Sequence, residues 1–185
     1  RRILTANGIP DHDVGTFPNP HNPNTISEQS ISEEFAIEPV LTTNSTELGG
    51  PRGVIGYVLN GVKIDAGTAG SCNDSGSSCS LAPPMQGSWS IEALGQSSFN
   101  FGDDENHAHV QPGGAYHYHG IPEGFVDKLE KGTEMTLVAW AADGFPIYAR
   151  YGYQDAMDAS SAILIIESSY LLKSSPDANR PSISD

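Results

Sequence analysis

The stretch HAHVQPGGAYHYHG, residues 107–120, predicts a β-hairpin that carries four of the six histidines of the chain. Gln111-Pro112-Gly113-Gly114 supplies the turn, because Pro fixes φ and Gly accepts a positive φ. Centring this turn on Gly113 pairs the four histidines across the two strands. The predicted pairs are His109 with His117 and His107 with His119. Since alternate residues of a strand share a face, all four imidazoles are expected on one side of the hairpin.

The opposite face of the same hairpin is predicted to be part of the core. Tyr116 and Tyr118 alternate with His117 and His119, so their side chains point away from the imidazoles. The hairpin therefore has one polar, histidine-bearing face and one aromatic face.

Four imidazoles on one face favour a transition-metal site. Directly opposed Cβ atoms lie about 4.5–5.5 Å apart, within reach of a shared ion. Each neutral imidazole offers one ring nitrogen to a metal, and nitrogen-rich sites suit copper or zinc better than calcium or magnesium. The acidic run Asp103-Asp104-Glu105 can orient the imidazoles or supply an oxygen ligand. The alternative is a set of hydrogen-bonded structural histidines or a pH-sensitive patch.

Two further histidines occur in the N-terminal segment. His12 lies between Asp11 and Asp13 and is the better additional ligand, whereas His21 is expected to be an ordinary polar residue. The predicted metal-binding set therefore contains five histidines. These are His109, His117, His119, His107 and His12.

The sequence around the hairpin predicts a mainly β domain. Asn60-Gly61 and Asp143-Gly144 each separate two apolar, β-rich segments and are strong two-residue hairpin signals. Residues 123–132, EGFVDKLEKG, predict a short helix that stops at Gly132, and residues 89–95, WSIEALG, predict one or two helical turns. AILIIE at 162–167 predicts a final strand. We expect an antiparallel sandwich or barrel-like fold with hairpins, long loops and one or two short helices.

Length and charge limit the classes of function. The 185 residues suit a single domain over 1–185, with a loop-rich N-terminal segment, 1–25. Nine basic residues against 23 acidic ones give a net charge of −14, which disfavours nucleic acid as a partner. No apolar run approaches the roughly 18 residues that a membrane span needs, so no membrane insertion is predicted.

The two cysteines, Cys72 and Cys79, predict a disulfide and an oxidising compartment, either secreted or periplasmic. The Gly/Ser-rich loop between them is flexible enough to bring the two thiols together. The alternative is a pair of free thiols.

The stretch GGAYHYHGIP, preceded by DENHAHVQP and followed by AADGFPIYARYGY, resembles the YHYH domain family. NGIPDH near the start also resembles the opening of that family, and the resemblance runs discontinuously from about residue 7 to 173. It implies an exported protein and marks His109, His117 and His119 as the motif histidines. His12 is implied as a further contributor, and His107 as a neighbour of the site. We also expect relatives to continue with another cysteine-containing segment, which predicts an incomplete C-terminus for this chain.

Three functions are compatible with these observations. The first is an exported transition-metal-binding protein that holds copper or zinc on the histidine hairpin. The second is a metal-dependent hydrolase or oxidoreductase with an open coordination position. The third is a binding module for carbohydrate or protein with structural histidines. No nucleophile motif, P-loop or dinucleotide fingerprint identifies a catalytic residue, so whether the chain is an enzyme stays open.

Overall fold

Strands dominate the part of the chain that the structure describes. The computed structural model describes residues 1–44, 53–65, 67, 70–75, 77–80, 86–94, 100–169, 171, 173–175 and 177–178. The strands are, in chain order, β1 (Arg2–Ala6), β2 (Ile31–Phe35), β3 (Val54–Val58), β4 (Lys63–Asp65), β5 (Ser71–Cys72), β6 (Cys79–Ser80), β7 (Trp89–Ser90), β8 (Ala108–Val110), β9 (Tyr116–Tyr118), β10 (Thr136–Ala141), β11 (Pro146–Ala149), β12 (Tyr151–Tyr153) and β13 (Ile163–Ile165). Helix α1 (Glu123–Lys128) lies between β9 and β10.

The largest sheet has six strands in the order β11-β10-β3-β4-β9-β8. All neighbours in it are antiparallel except β4 and β9, which run parallel and pair Lys63 with His117. A parallel pair needs a long crossover, and here the chain passes through β5 to β8 before it returns as β9. The mainly β prediction is confirmed, and the described strands form no closed barrel.

Both predicted hairpin turns are present. Gly61 has a φ of +85° between β3 and β4, and the Val58 N–H donates to the Val62 carbonyl at 2.9 Å. Gly144 has a φ of +96° between β10 and β11. Because glycine accepts a positive φ without a steric cost, these two positions close the turns as predicted.

Two predicted helical segments differ in the structure. Helix α1 ends at Lys128 rather than at Gly132, because Glu130 has a φ of +50°, in the left-handed region where an α-helix cannot continue. Trp89–Ser90, predicted as part of a helical turn, instead forms β7 and pairs with β5. The final strand is confirmed as β13, which pairs with β12.

A second, three-stranded sheet contains the two cysteines. Its order is β6-β5-β7, and Cys72 lies opposite Cys79 in the antiparallel pair of β5 and β6. The two side chains form the predicted disulfide. The pairing follows from the local hairpin, which brings the two ends of the short loop together.

The N-terminal segment is tied to the large sheet. β1 pairs with β2, a strand pair that the sequence did not predict. After β1 the chain crosses the aromatic face, where the Phe17 ring contacts the Tyr116 ring at 6.0 Å between centroids. The buried Asn22 amide donates to the Val110 carbonyl at 2.9 Å. This segment therefore covers one face of the histidine hairpin.

The core lies on the aromatic face of the large sheet. Its members are buried side chains from β3, β4, β8, β9, β10 and β11, the 58–62 turn and α1. Tyr116 and Tyr118 are among the largest fully buried side chains. The prediction that both tyrosines enter the core is confirmed. Among the described residues, no helix has the length and apolar character needed to cross a bilayer.

Candidate metal centre

The histidine hairpin forms with the predicted register at its centre. β8 and β9 are antiparallel, and His109 lies directly opposite His117. Gly113 and Gly114 have φ values of +95° and +86°, and the Gln111 N–H donates to the Ala115 carbonyl at 3.0 Å. The turn residues therefore set the register that brings these two histidines together.

Three imidazoles converge beside this hairpin. Nε2 of His119 lies 3.3 Å from Nε2 of His109 and 3.0 Å from Nε2 of His117. One ring nitrogen from each histidine lies within 4.8 Å of the other two. Nitrogens bound tetrahedrally to one zinc ion at about 2.0–2.1 Å would be about 3.3 Å apart. The two spacings from His119 are therefore close to those between ligands around one ion.

The outer nitrogens of two rings lie beside oxygen atoms. Nδ1 of His109 lies 2.5 Å from Oδ1 of Asp103 in an ion-pair contact, and neither atom has a hydrogen-bond partner among the described residues. Nδ1 of His117 lies 3.3 Å from the Ala115 carbonyl oxygen. A proton on each Nδ1 leaves the Nε2 lone pairs free, as in metal-bound histidines.

Hydrogen bonds alone do not satisfy this cluster. Nε2 of His119 carries either one proton or one lone pair, yet it faces the Nε2 atoms of both His109 and His117. A single proton on Nε2 of His119 can form a good hydrogen bond to only one of these two nitrogens. A cation at the centre would instead accept all three lone pairs.

Burial keeps the imidazoles of His117 and His119 in the neutral form that binds metals. It lowers the pKa of His117 to about 2, and the neighbouring His109 and His119 lower it further in the same direction. Burial, followed by the charge of His109, lowers the pKa of His119 to about 4. The folded protein therefore resists protonation of both rings.

These pKa shifts predict that the metal-free protein loses stability in mild acid. In the unfolded chain both histidines titrate near a pKa of about 6.5, so below that pH the unfolded state binds more protons than the folded state. We expect the free energy of unfolding to fall by about 4 kcal/mol between about pH 7 and about pH 5, about 2 kcal/mol for each histidine, and to keep falling toward the folded pKa of His119. Urea denaturation at both pH values measures the change.

The matched control for this prediction is a protein in which His117 and His119 are both Gln. Its stability should depend less on pH over the same range, because neither glutamine takes up a proton. Equal slopes for the two proteins would contradict the prediction.

The other two predicted ligands lie elsewhere. His107 has a φ of +56°, and its Nδ1 lies 2.9 Å from the Ile121 carbonyl oxygen. The positive φ takes this residue out of the strand, so the prediction that all four imidazoles share one face is wrong for His107. His12 lies on the aromatic face, where its Nε2 is 2.6 Å from the Tyr118 hydroxyl. Neither residue joins the group of three converging histidines.

Sequence reasoning missed one acidic residue beside the centre. Oδ2 of Asp65 lies 3.7 Å from Nε2 of His117 and 2.6 Å from Nζ of Lys63. Burial raises the pKa of Asp65, and the Lys63 ammonium group opposes that rise. Alternation along β4 places residues 63 and 65 on one face, but no local signal shows that β4 lies beside β9. The acidic run, in contrast, does reach the site as expected, through Asp103.

Comparisons with known proteins agree with the motif. A family model described as YHYH protein matches residues 32–185. Neither a search of curated proteins nor a search of solved structures found a match. The family match covers most of the chain and includes the hairpin with its three converging histidines, and the chain therefore belongs to the YHYH protein family.

Proposed function

We propose that this chain is an exported transition-metal-binding protein that holds one copper or zinc ion with His109, His117 and His119. The observation that carries the proposal is the convergence of three imidazole nitrogens within 4.8 Å of one another. The Asp103 carboxylate beside Nδ1 of His109 supports it, because metal-bound histidines commonly have a carboxylate at their second ring nitrogen.

The donor set favours copper and zinc over harder cations. Imidazole nitrogens suit Zn²⁺ and Cu²⁺, whereas Ca²⁺ and Mg²⁺ require oxygen ligands. The two cysteines are bonded to each other and offer no thiolate. For the same set of nitrogens Cu²⁺ binds more tightly than Zn²⁺, so we expect that order.

We propose a secreted or periplasmic location for this function. A disulfide persists in oxidising compartments and is rare in the cytosol. The net charge of −14 also raises the local concentration of cations near the protein.

A metal-dependent enzyme is the second candidate function. Only three ligand atoms converge in the described part of the chain, and three protein ligands with one open position are typical of catalytic zinc sites. A hydrolase or an oxidoreductase would both be compatible with this arrangement, depending on the metal. We assign no catalytic residue and no substrate.

Calorimetric titration of the metal-free protein with Cu²⁺ and with Zn²⁺ tests the proposal. We expect one ion per chain, with the tighter binding for Cu²⁺. X-ray absorption of the loaded protein should then show imidazole nitrogens in the coordination shell. A lack of saturable binding, or an ion bound without imidazole, would contradict the proposal and favour a carbohydrate- or protein-binding module with structural histidines.

A further inference from the structure

We propose that Asp65 accepts a hydrogen bond from a water molecule on the bound ion, so that the open coordination position prefers water over anions that carry no proton. This inference rests on the proposed function, because it assigns a role beside the same three histidines. It makes Asp65 a positioning residue that selects the non-protein ligand of the ion.

The Asp65 carboxylate is buried next to the centre and is incompletely satisfied. Asp65 is 6% exposed, and its Oδ1 has no hydrogen-bond partner among the described residues. Buried carboxylate oxygens are normally hydrogen-bonded, so Oδ1 has the capacity to accept from a donor that the described residues do not supply. The other oxygen, Oδ2, lies 3.7 Å from Nε2 of His117, which places the carboxylate beside the converging nitrogens.

The distances favour a water between Asp65 and the ion over a direct bond. An oxygen in the fourth position of a tetrahedral zinc site would lie about 3.3 Å from each ligand nitrogen. Asp65 is not a member of the group of ligand atoms that lie within 4.8 Å of one another, which contains only the three histidines. We therefore infer that the carboxylate contacts a coordinated water through a hydrogen bond of about 2.7–2.8 Å.

Lys63 holds the carboxylate in this position. Its Nζ lies 2.6 Å from Oδ2 of Asp65 and also donates to Oε1 of Gln111 at 2.9 Å. Lys63 and Asp65 are two residues apart on the same face of β4. The parallel pairing of β4 with β9 places Lys63 beside His117. The carboxylate is therefore anchored on one oxygen and free to accept on the other.

This arrangement discriminates between ligands by their protons and charge. A coordinated water donates a hydrogen bond to the carboxylate, whereas azide has no hydrogen to donate and carries a negative charge that the carboxylate repels. Replacing Asp65 with Asn removes the negative charge and offers an N–H donor to the anion. We expect Asp65→Asn to bind azide about 10-fold more tightly and the metal itself about 10-fold more weakly, the size typical of lost outer-shell partners.

The experiment uses the purified full chain loaded with Cu²⁺. Sodium azide is added stepwise, and the azide-to-copper charge-transfer absorption measures how much azide has bound. Wild type is compared with Asp65→Asn and with Asp127→Asn, a carboxylate on α1 outside the converging group that serves as the matched control. Tighter azide binding in Asp65→Asn alone supports the inference. Equal azide affinity in all three proteins overturns it while leaving metal binding by the histidines intact.

A second variant and a spectroscopic measurement test the role of Asp65 independently. If Asp65→Asn does not fold, the double variant Lys63→Gln, Asp65→Asn removes the buried pair without leaving a lone charge, and its azide affinity decides the question. In the Cu²⁺-loaded wild type, proton electron–nuclear double resonance in H₂O and D₂O should reveal an exchangeable coordinated water. A signal without such protons overturns the inference, and a wild type that binds no Cu²⁺ overturns the proposed function along with it.

Discussion

Replacing both His117 and His119 with Ala should lower the affinity for Cu²⁺ and for Zn²⁺ by at least about 100-fold. Losing one outer-shell partner typically costs about 10–100-fold in affinity, and this variant loses two of the three converging nitrogens themselves. A single remaining imidazole binds an ion no better than an isolated histidine on the surface of a protein. Calorimetric titration with each metal measures the loss directly.

His21→Ala is the control for this prediction. His21 is exposed in the N-terminal segment and is not part of the converging group, so its loss should leave both affinities unchanged. The double variant should also keep its near-ultraviolet circular dichroism, because neither histidine belongs to the apolar core. If the double variant binds both metals as tightly as wild type, the histidines of the hairpin are structural.

Replacing Tyr118 with Ala should destabilise the protein by about 3–5 kcal/mol, the usual cost of removing a large aromatic side chain from a core. Tyr118 is fully buried, and its ring packs against the Tyr116 ring at 5.6 Å between centroids. Its hydroxyl also accepts a hydrogen bond from the Asn60 amide at 3.0 Å. Since small domains are stable by only about 5–15 kcal/mol, this loss is a large share of the total.

Chemical denaturation at neutral pH measures the effect of Tyr118→Ala. Tyr148→Ala is the matched control, because Tyr148 lies on β11 with much of its side chain exposed and should cost far less. A midpoint for Tyr118→Ala equal to that of the control would show that the aromatic face of the hairpin does not support the core. Together, the histidine and tyrosine variants test whether one face of the Tyr116–His119 motif binds the metal ion and the other stabilises the fold.

Much of the candidate site could be predicted from the sequence because the decisive contacts are local. The Pro-Gly-Gly turn sets the register of β8 and β9, and the two-residue period of a strand then separates His117 from Tyr116 and Tyr118. The disulfide has the same origin, since Cys72 and Cys79 flank one short loop. These rules act over a few residues and need no knowledge of the remaining chain.

Local rules failed where a single backbone angle departed from the strand. The predicted pairing of His107 with His119 forms only through the backbone, where the His119 N–H donates to the His107 carbonyl at 2.8 Å. The φ of +56° at His107 turns its side chain toward Ile121 and Glu123. A positive φ at a non-glycine residue is uncommon, so no pattern in the sequence predicted it.

By itself the sequence determined the histidine hairpin, its two faces, the flanking hairpin turns and the disulfide, because each depends on turn chemistry and alternation between near neighbours. Only the tertiary structure decided which of these hairpins lie side by side. The parallel pairing of β4 with β9 brings Asp65 to the histidines, and the path of the N-terminal segment takes His12 to the Tyr118 hydroxyl instead. Such contacts join residues more than 50 positions apart. They form because the folded chain buries its apolar core, and no pattern within a short stretch of sequence determines them.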